Sequence, residues 1–309
     1  MRVSGSVWAY AAEFLRHPRA ITLRRASRGL GDNLLLSCLA REVKRADPGR
    51  RVFVETAWPE LFLHNPNVDA VFTRKVSPAY HKIAYRIDPG TREHLIDQMV
   101  RQLPFPVAGW ERTVDLFLPG DPPGGAAPDL PHRFIAVNPA GKGGHSANRK
   151  EWGIGNFAAL RERLAGTPFV QIGDPATPLL PGAEDRRGRP VLESAAILAR
   201  SATGVFLEGG MMHLAEAVRK PSVIVFGGMI RPEVSGYDRH ENIATRPECG
   251  PCFTSHTAMT VCESMVCMKE IPVERVTDAV KRILERGETA ASASARAPAP
   301  APATGRRPA

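Results

Sequence analysis

Short apolar runs bounded by turn residues alternate along this chain with longer stretches whose apolar positions recur every third or fourth residue. That alternation predicts parallel strands covered on both faces by helices. In the first half, strands are expected at 20–23, 51–55 and 70–73, with helices at 32–46 and 94–102. In the second, strands at 134–137 and 169–172 alternate with helices at 155–164 and 193–200. Residues 204–228 then read as a complete βαβ unit: buried strand, Glu208-Gly209-Gly210 turn, helix carrying His213, and second buried strand. A last amphipathic helix is expected at 272–286. Residues 119–132 are too rich in proline and glycine for either element and read as an interdomain linker. The expected organisation is an α/β protein with one Rossmann-like domain at 1–118 and another at 133–287. An Ala/Pro/Ser tail at 288–309 should be disordered.

Composition adds little to the fold but restricts the partners. The 309 residues carry a formal net charge of +9, yet the basic residues are dispersed and lack interleaved aromatics, so nucleic acid is not expected as a partner. Anionic small ligands, or work beside anionic lipid, fit better. No run approaches the length of a membrane span, and neither export nor insertion is expected, which points to a cytoplasmic protein. Val7, Trp8, Ala11, Phe14 and Leu15 fall on one helical face followed by Arg16, His17 and Arg19. Packing of that face against the body is the favoured reading, peripheral contact with a membrane surface the other.

Two glycine turns carry the candidate chemistry. At Glu208-Gly209-Gly210 a strand hands over to a helix, where free N–H groups favour phosphate and a carboxylate suits a sugar hydroxyl. The other reading is an ordinary connection with His213 packed in its helix. In the first half, Gly29-Leu30-Gly31-Asp32 follows the first strand. As a dinucleotide fingerprint it is defective, because Leu34 stands where a third glycine is required, although Glu55 lies where a ribose-binding acid belongs. Asp32 is either a helix cap or an ionised general base for a hydroxyl nucleophile. His94, at the start of the 94–102 helix, is either structural or a contact for an acceptor. Four of the five cysteines, Cys249, Cys252, Cys262 and Cys267, cluster at 249–267 with His256 between them. Paired thiols closing a short loop suit a structural zinc or iron ion, with free surface thiols as the alternative.

Taken together, the blocks LRRASRGLGDNLLLSCLAREVKRADPGRRVFVE, ELFLHNPNVDAVF, FIAVNPAGKGGHSANRKEWGIGNFAAL, the 204–228 unit and FGG…GYDRHENI resemble glycosyltransferase family 9, the ADP-heptose:lipopolysaccharide heptosyltransferases and their relatives. The resemblance covers about residues 20–286 and implies a GT-B fold, in which the first domain binds a glycan or glycolipid acceptor and the second a nucleotide-sugar donor. It implies transfer with inversion and no cofactor for the chemistry. Asp32 matches the family's Gly-Asp carboxylate and would deprotonate the acceptor. Lys150 best matches the lysine after the Asn-Pro loop and would neutralise the departing diphosphate, with Arg149 as a stand-in and Asn138 and Lys142 in the same loop. The family's Asp-Ser/Thr-Gly-x-x-His reads Glu208-Gly209-Gly210-Met211-Met212-His213 here, so the acid is longer by one methylene and the hydroxyl is lost. The amides of Gly209, Gly210 and Met211 remain as phosphate donors. Some relatives hold iron with cysteines in the position of this cluster. A dinucleotide-dependent oxidoreductase and a degenerate, non-catalytic scaffold are the rival functions.

Overall fold

The computed structural model describes residues 2–25, 27–73, 75–76, 80–120, 129–141, 146–254 and 260–296. They form two wholly parallel sheets. In the first, β2 (Ile21–Arg24), β3 (Val52–Glu55) and β4 (Ala70–Phe72) form the centre, with β1 (Arg2–Ser4) beside β4 and β5 (His81–Lys82) beside β2. The second sheet runs β11 (Glu241–Ile243), β10 (Ser222–Val225), β9 (Thr203–Leu207), β6 (Ile135–Asn138), β7 (Phe169–Gly173) and β8 (Glu184–Arg187). Its order of appearance reverses between β6 and β9, as it does between β2 and β5 in the first sheet. Loops diverge at such a point and leave a crevice at the carboxyl ends of the strands, where ligands of open α/β sheets bind.

The helices are α1 (Val7–Arg16), α2 (Leu30–Ala46), α3 (Leu95–Val100), α4 (Ile154–Arg163), α5 (Val191–Arg200), α6 (Gly210–Ala217), α7 (Pro232–Ser235), α8 (Val266–Lys269) and α9 (Val273–Arg296). On α2, Leu34, Leu35, Leu36, Leu39 and Val43 are buried. They share one core with the strands Ile21–Arg24 and Val52–Glu55, and with Phe206, Met212 and Leu214 of the second half. One apolar cluster therefore spans both sheets, while Trp152, Phe157, Phe169, Val223 and Val280 form a second core on the far side of the second sheet.

The halves are also joined by polar contacts. Asp115 accepts from Arg219 of the second half at 2.6 Å and pairs with Arg41 of the first. Leu116 N–H donates to the Ala217 carbonyl at 3.3 Å.

Two expectations need correction. Helix α2 begins at Leu30, so Asp32 lies inside its first turn; the cap is Gly29, which makes no side-chain bond. The expected disordered tail from 288 is helical as far as Arg296: four of the nine residues from Glu288 to Arg296 are alanine, and no proline intervenes before Pro298. Residues 297–309, like the linker core at 121–128, lie outside the described residues.

Candidate functional site

Asp32 sits at the switch point of the first sheet, in a cage of three donors. Arg25 Nη2 donates to Oδ1 at 2.5 Å, Tyr85 Oη to the same oxygen at 2.9 Å, and Ser27 Oγ to Oδ2 at 2.6 Å. Arg25 and Ser27 come from the loop after β2, and Tyr85 follows β5, so the strands on either side of the reversal supply the cage. Burial alone would raise the carboxyl, but the Arg25 guanidinium and the bonds from Ser27, Arg25 and Tyr85 outweigh it and hold Asp32 below its ordinary range. Ionisation therefore rests on Arg25 together with these bonds.

At the switch point of the second sheet, Glu208 follows β9 and Gly209 caps α6 with φ +144° and ψ −151°, a region essentially confined to glycine. Among the described residues no side chain caps α6, so its first-turn N–H groups are open to water or a ligand. Lys150 forms an ion pair with Glu208 Oε2, without an aligned hydrogen bond, and Ser235 Oγ lies 3.5 Å from Oε1. The pair is largely withdrawn from solvent: side-chain exposure is 17% for Lys150 and 7% for Glu208. Asn138, at the end of β6, fills the space left by Gly173, where a Cβ would fall 2.2 Å from its Nδ2. Its Oδ1 accepts from Ala140 N–H at 3.3 Å.

The two glycine turns meet. A Cβ on Gly31 would stand 2.4 Å from His213 Cδ2 and 3.4 Å from Gly210 Cα, and one on Gly210 would lie 3.5 Å from Leu30 Cβ. This approach of α2 to α6 puts Asp32, Glu208 and Lys150 all within electrostatic reach of His213. His213 is buried, its Nδ1 is 2.6 Å from Tyr237 Oη, and burial lowers its pKa to about 4 despite the nearby carboxylates of Glu208 and Asp32. It is a neutral imidazole at physiological pH. Because Tyr237 fixes the ring, Gly31→Ala should force the helices apart and destabilise the protein by roughly 1–3 kcal/mol; chemical denaturation of the variant checks this.

Several sequence-derived assignments are redrawn. Arg149 turns away from the Glu208 turn and bonds Thr260 O at 2.9 Å, Thr260 Oγ1 at 3.0 Å and Cys252 Sγ at 3.5 Å. Its neighbour Asn148 exchanges two bonds with the Cys262 backbone, at 2.9 and 2.8 Å. The cysteine-rich loop thus braces the segment that carries Lys150. His94 caps α3, accepting from Ile96 N–H at 3.2 Å through Nδ1 and donating from Nε2 to the Gly236 carbonyl at 3.0 Å. Buried with both nitrogens engaged, it has none left for an acceptor hydroxyl. Lys142 and His256 lie outside the described residues. Cys249 is exposed, Cys252 and Cys262 are half-buried and Cys267 is buried, with Cys252 and Cys262 both in electrostatic reach of Cys267; among the described residues, which exclude 255–259, no group of three or more potential metal ligands is found. Glu55 is buried and paired with Arg24 at 3.0 Å, which removes the acid that a ribose would require in the first half.

Sequence reasoning missed Arg25, in the loop leading into the helix of Asp32, and Tyr85 and Tyr237, which reach Asp32 and His213 from farther along the chain. It also missed His240, buried beside Glu216 Oε2 at 3.8 Å and near the Met212 backbone, with no well-aligned hydrogen bond on either ring nitrogen among the described residues. Burial lowers the His240 pKa from 6.5 to about 4. The unfolded chain takes up this proton near 6.5 while the fold resists it, so stability falls as pH drops through that window, by about 1.4 kcal/mol per pH unit. Glu216, whose carboxyl is raised by burial, acts in the opposite sense. His240→Leu should therefore flatten the fall in stability between pH 6.5 and 4, as read by urea unfolding at successive pH values.

No family sequence model and no curated protein matches the chain. Solved structures do. ADP-heptose lps heptosyltransferase II of E. coli superposes with a TM-score of 0.63 at 15% identity, over 87% of this chain and 99% of that one. A glycosyl transferase family 9 protein from Veillonella parvula gives 0.67 at 14%, over 87% and 98%. The iron-containing dodecameric glycosyltransferase TibC of enterotoxigenic E. coli gives 0.68 at 18%, over 87% and 76%. In fold, this chain is GT-B and like the family 9 heptosyltransferases.

Proposed function

We propose that this chain is an inverting glycosyltransferase that moves a sugar from a nucleoside diphosphate donor to a glycan or glycolipid hydroxyl. The observation that carries the reading is the meeting of the two switch points, which opposes an ionised carboxylate to a lysine beside an uncapped helix start. The second domain, 133–287, takes the donor, its diphosphate lying on the α6 N–H groups of Gly210 and Met211 and on Lys150, with Asn138 at the base of the same crevice. Glu208 then exchanges Lys150 for a donor hydroxyl, and neutral His213 offers a hydrogen bond beside it. The first domain, 1–118, presents the acceptor to Asp32.

The acceptor oxygen attacks the anomeric carbon from the face opposite the phosphate and its proton passes to Asp32. The bond from the anomeric carbon to the phosphate oxygen breaks, its electron pair leaves with the nucleoside diphosphate, and Lys150 and the helix start neutralise the charge that develops there. Heptose from ADP-heptose is the donor we favour, since TibC has been solved in complex with ADP-D-beta-D-heptose. A lipopolysaccharide core or related surface glycan, glycosylated in the cytoplasm, is the matching acceptor.

Thermal shift with ADP-, UDP- and GDP-sugars and with NAD(P), followed by hydrolysis of the best donor, tests the reading. Stabilisation by a nucleotide sugar with release of its nucleoside diphosphate is expected. Stabilisation by NAD(P) alone, or by none of these ligands, overturns it.

A further inference from the structure

Helix α1 packs on the first sheet by only one face. Tyr10 and Phe14 stack at 5.9 Å, Tyr10 meets the Phe72 ring edge-on at 5.1 Å, and its hydroxyl bonds Thr22 Oγ1 at 3.0 Å. Among the described residues the opposite face has no such cover. Trp8 is 84% exposed and Leu15 81%, with Val7 at 57% and Val3 of the edge strand β1 at 45%. Trp8 and Leu15 stand seven residues apart, and Ala12 between them is also exposed, so the three line one stripe of the helix. The stripe runs into cations: Arg16, 59% exposed beside Leu15, pairs with Glu13 at 3.2 Å, and Arg19, 82% exposed, reaches Asp47 only at 3.5 Å. An exposed ion pair of that kind holds its partners weakly.

We propose that this face of α1 docks the protein on an anionic phospholipid surface, with Trp8, Val7 and Leu15 entering the headgroup boundary and Arg16 and Arg19 meeting lipid phosphates. The chemistry favours lipid over a second copy of the chain. A stable protein interface buries on the order of 800 Å² per partner, whereas α1 has 10 residues and offers one narrow edge. A tryptophan with aliphatic neighbours and terminal arginines is the composition of a helix lying in a membrane interface. Helix α1 follows the carboxyl end of β1, and every strand of this sheet is parallel, so the start of α1 lies toward the same carboxyl end of the strands as Asp32. The inference does not depend on the glycosyltransferase reading.

Co-sedimentation of the full chain with vesicles tests it. Binding is expected to equimolar phosphatidylcholine and phosphatidylglycerol, weakened by salt, with little binding to phosphatidylcholine alone. Trp8→Ser combined with Leu15→Ser should weaken binding by about tenfold or more, and Arg16→Gln and Arg19→Gln by about fivefold each. These side chains are exposed, so circular dichroism and thermal unfolding should match the parent. Failure of the parent to bind, or equal binding by the Trp8/Leu15 variant, overturns the proposal. So does concentration-dependent self-association of the parent that the same variant loses, which would assign the stripe to a second copy.

Discussion

Asp32→Asn is expected to lower kcat by about 10²–10⁴-fold, the range for loss of a positioned general base, while donor affinity measured by thermal shift stays unchanged. The amide keeps the size of the carboxylate but has no basic oxygen. Its Oδ1 can still accept from Tyr85 and Arg25, so the local structure should survive, and the loss falls on turnover. The cage makes a sharper statement about pH. Burial works to raise the carboxyl, yet Arg25, Ser27 and Tyr85 together hold it low, so the acidic limb of kcat/KM should lie below the usual carboxylate range. Removing a cation or a donor weakens that hold. Arg25→Gln and Tyr85→Phe should each shift the acidic limb upward, in a pH–rate profile that Asp32→Asn abolishes. Near-normal transfer by Asp32→Asn would dismiss the base assignment.

The central strands of both sheets were legible because both of their faces are buried: Val52, Phe53 and Val54, or Val223, Ile224 and Val225, form apolar runs with no solvent side. The strands that were missed, β1, β5, β8 and β11, are all at sheet edges. There the ladder alone defines the strand, and sequences such as His81-Lys82 or Glu184-Asp185-Arg186-Arg187 carry no apolar signal. The site divides on similar lines. Asp32 and Glu208 were readable because glycines mark the turns that hold them. Tyr85 was not, since it lies 53 residues beyond Asp32 and reaches it through the pairing of β2 with a two-residue edge strand. Arg149 and Lys150 are adjacent basic residues that spacing could not separate. What parts them is the cysteine-rich loop, whose Thr260 and Cys262 claim Arg149 and Asn148 and leave Lys150 to Glu208.

That separation underlies the second large expectation. Lys150→Met should lower kcat by about 10²–10³-fold, as when one preorganised electrostatic contact to the developing charge is lost. It should also destabilise the ligand-free protein, because Glu208 then keeps a carboxylate that is 7% exposed without its cation. Breaking a buried pair from one side costs about 3–5 kcal/mol, with the lower end expected here because Lys150 retains some contact with water. The two effects separate in the double variant. Lys150→Met with Glu208→Gln removes both charges, so urea unfolding should recover most of the lost stability while turnover stays low. Glu208→Gln alone frees Lys150 from its competitor and should tighten the binding of a bare nucleoside diphosphate. Recovery of turnover in the double variant would show that Lys150 only neutralises Glu208. Persistence of the defect on a stable protein, with a smaller loss in Glu208→Gln alone, would leave the departing diphosphate as the charge that Lys150 serves.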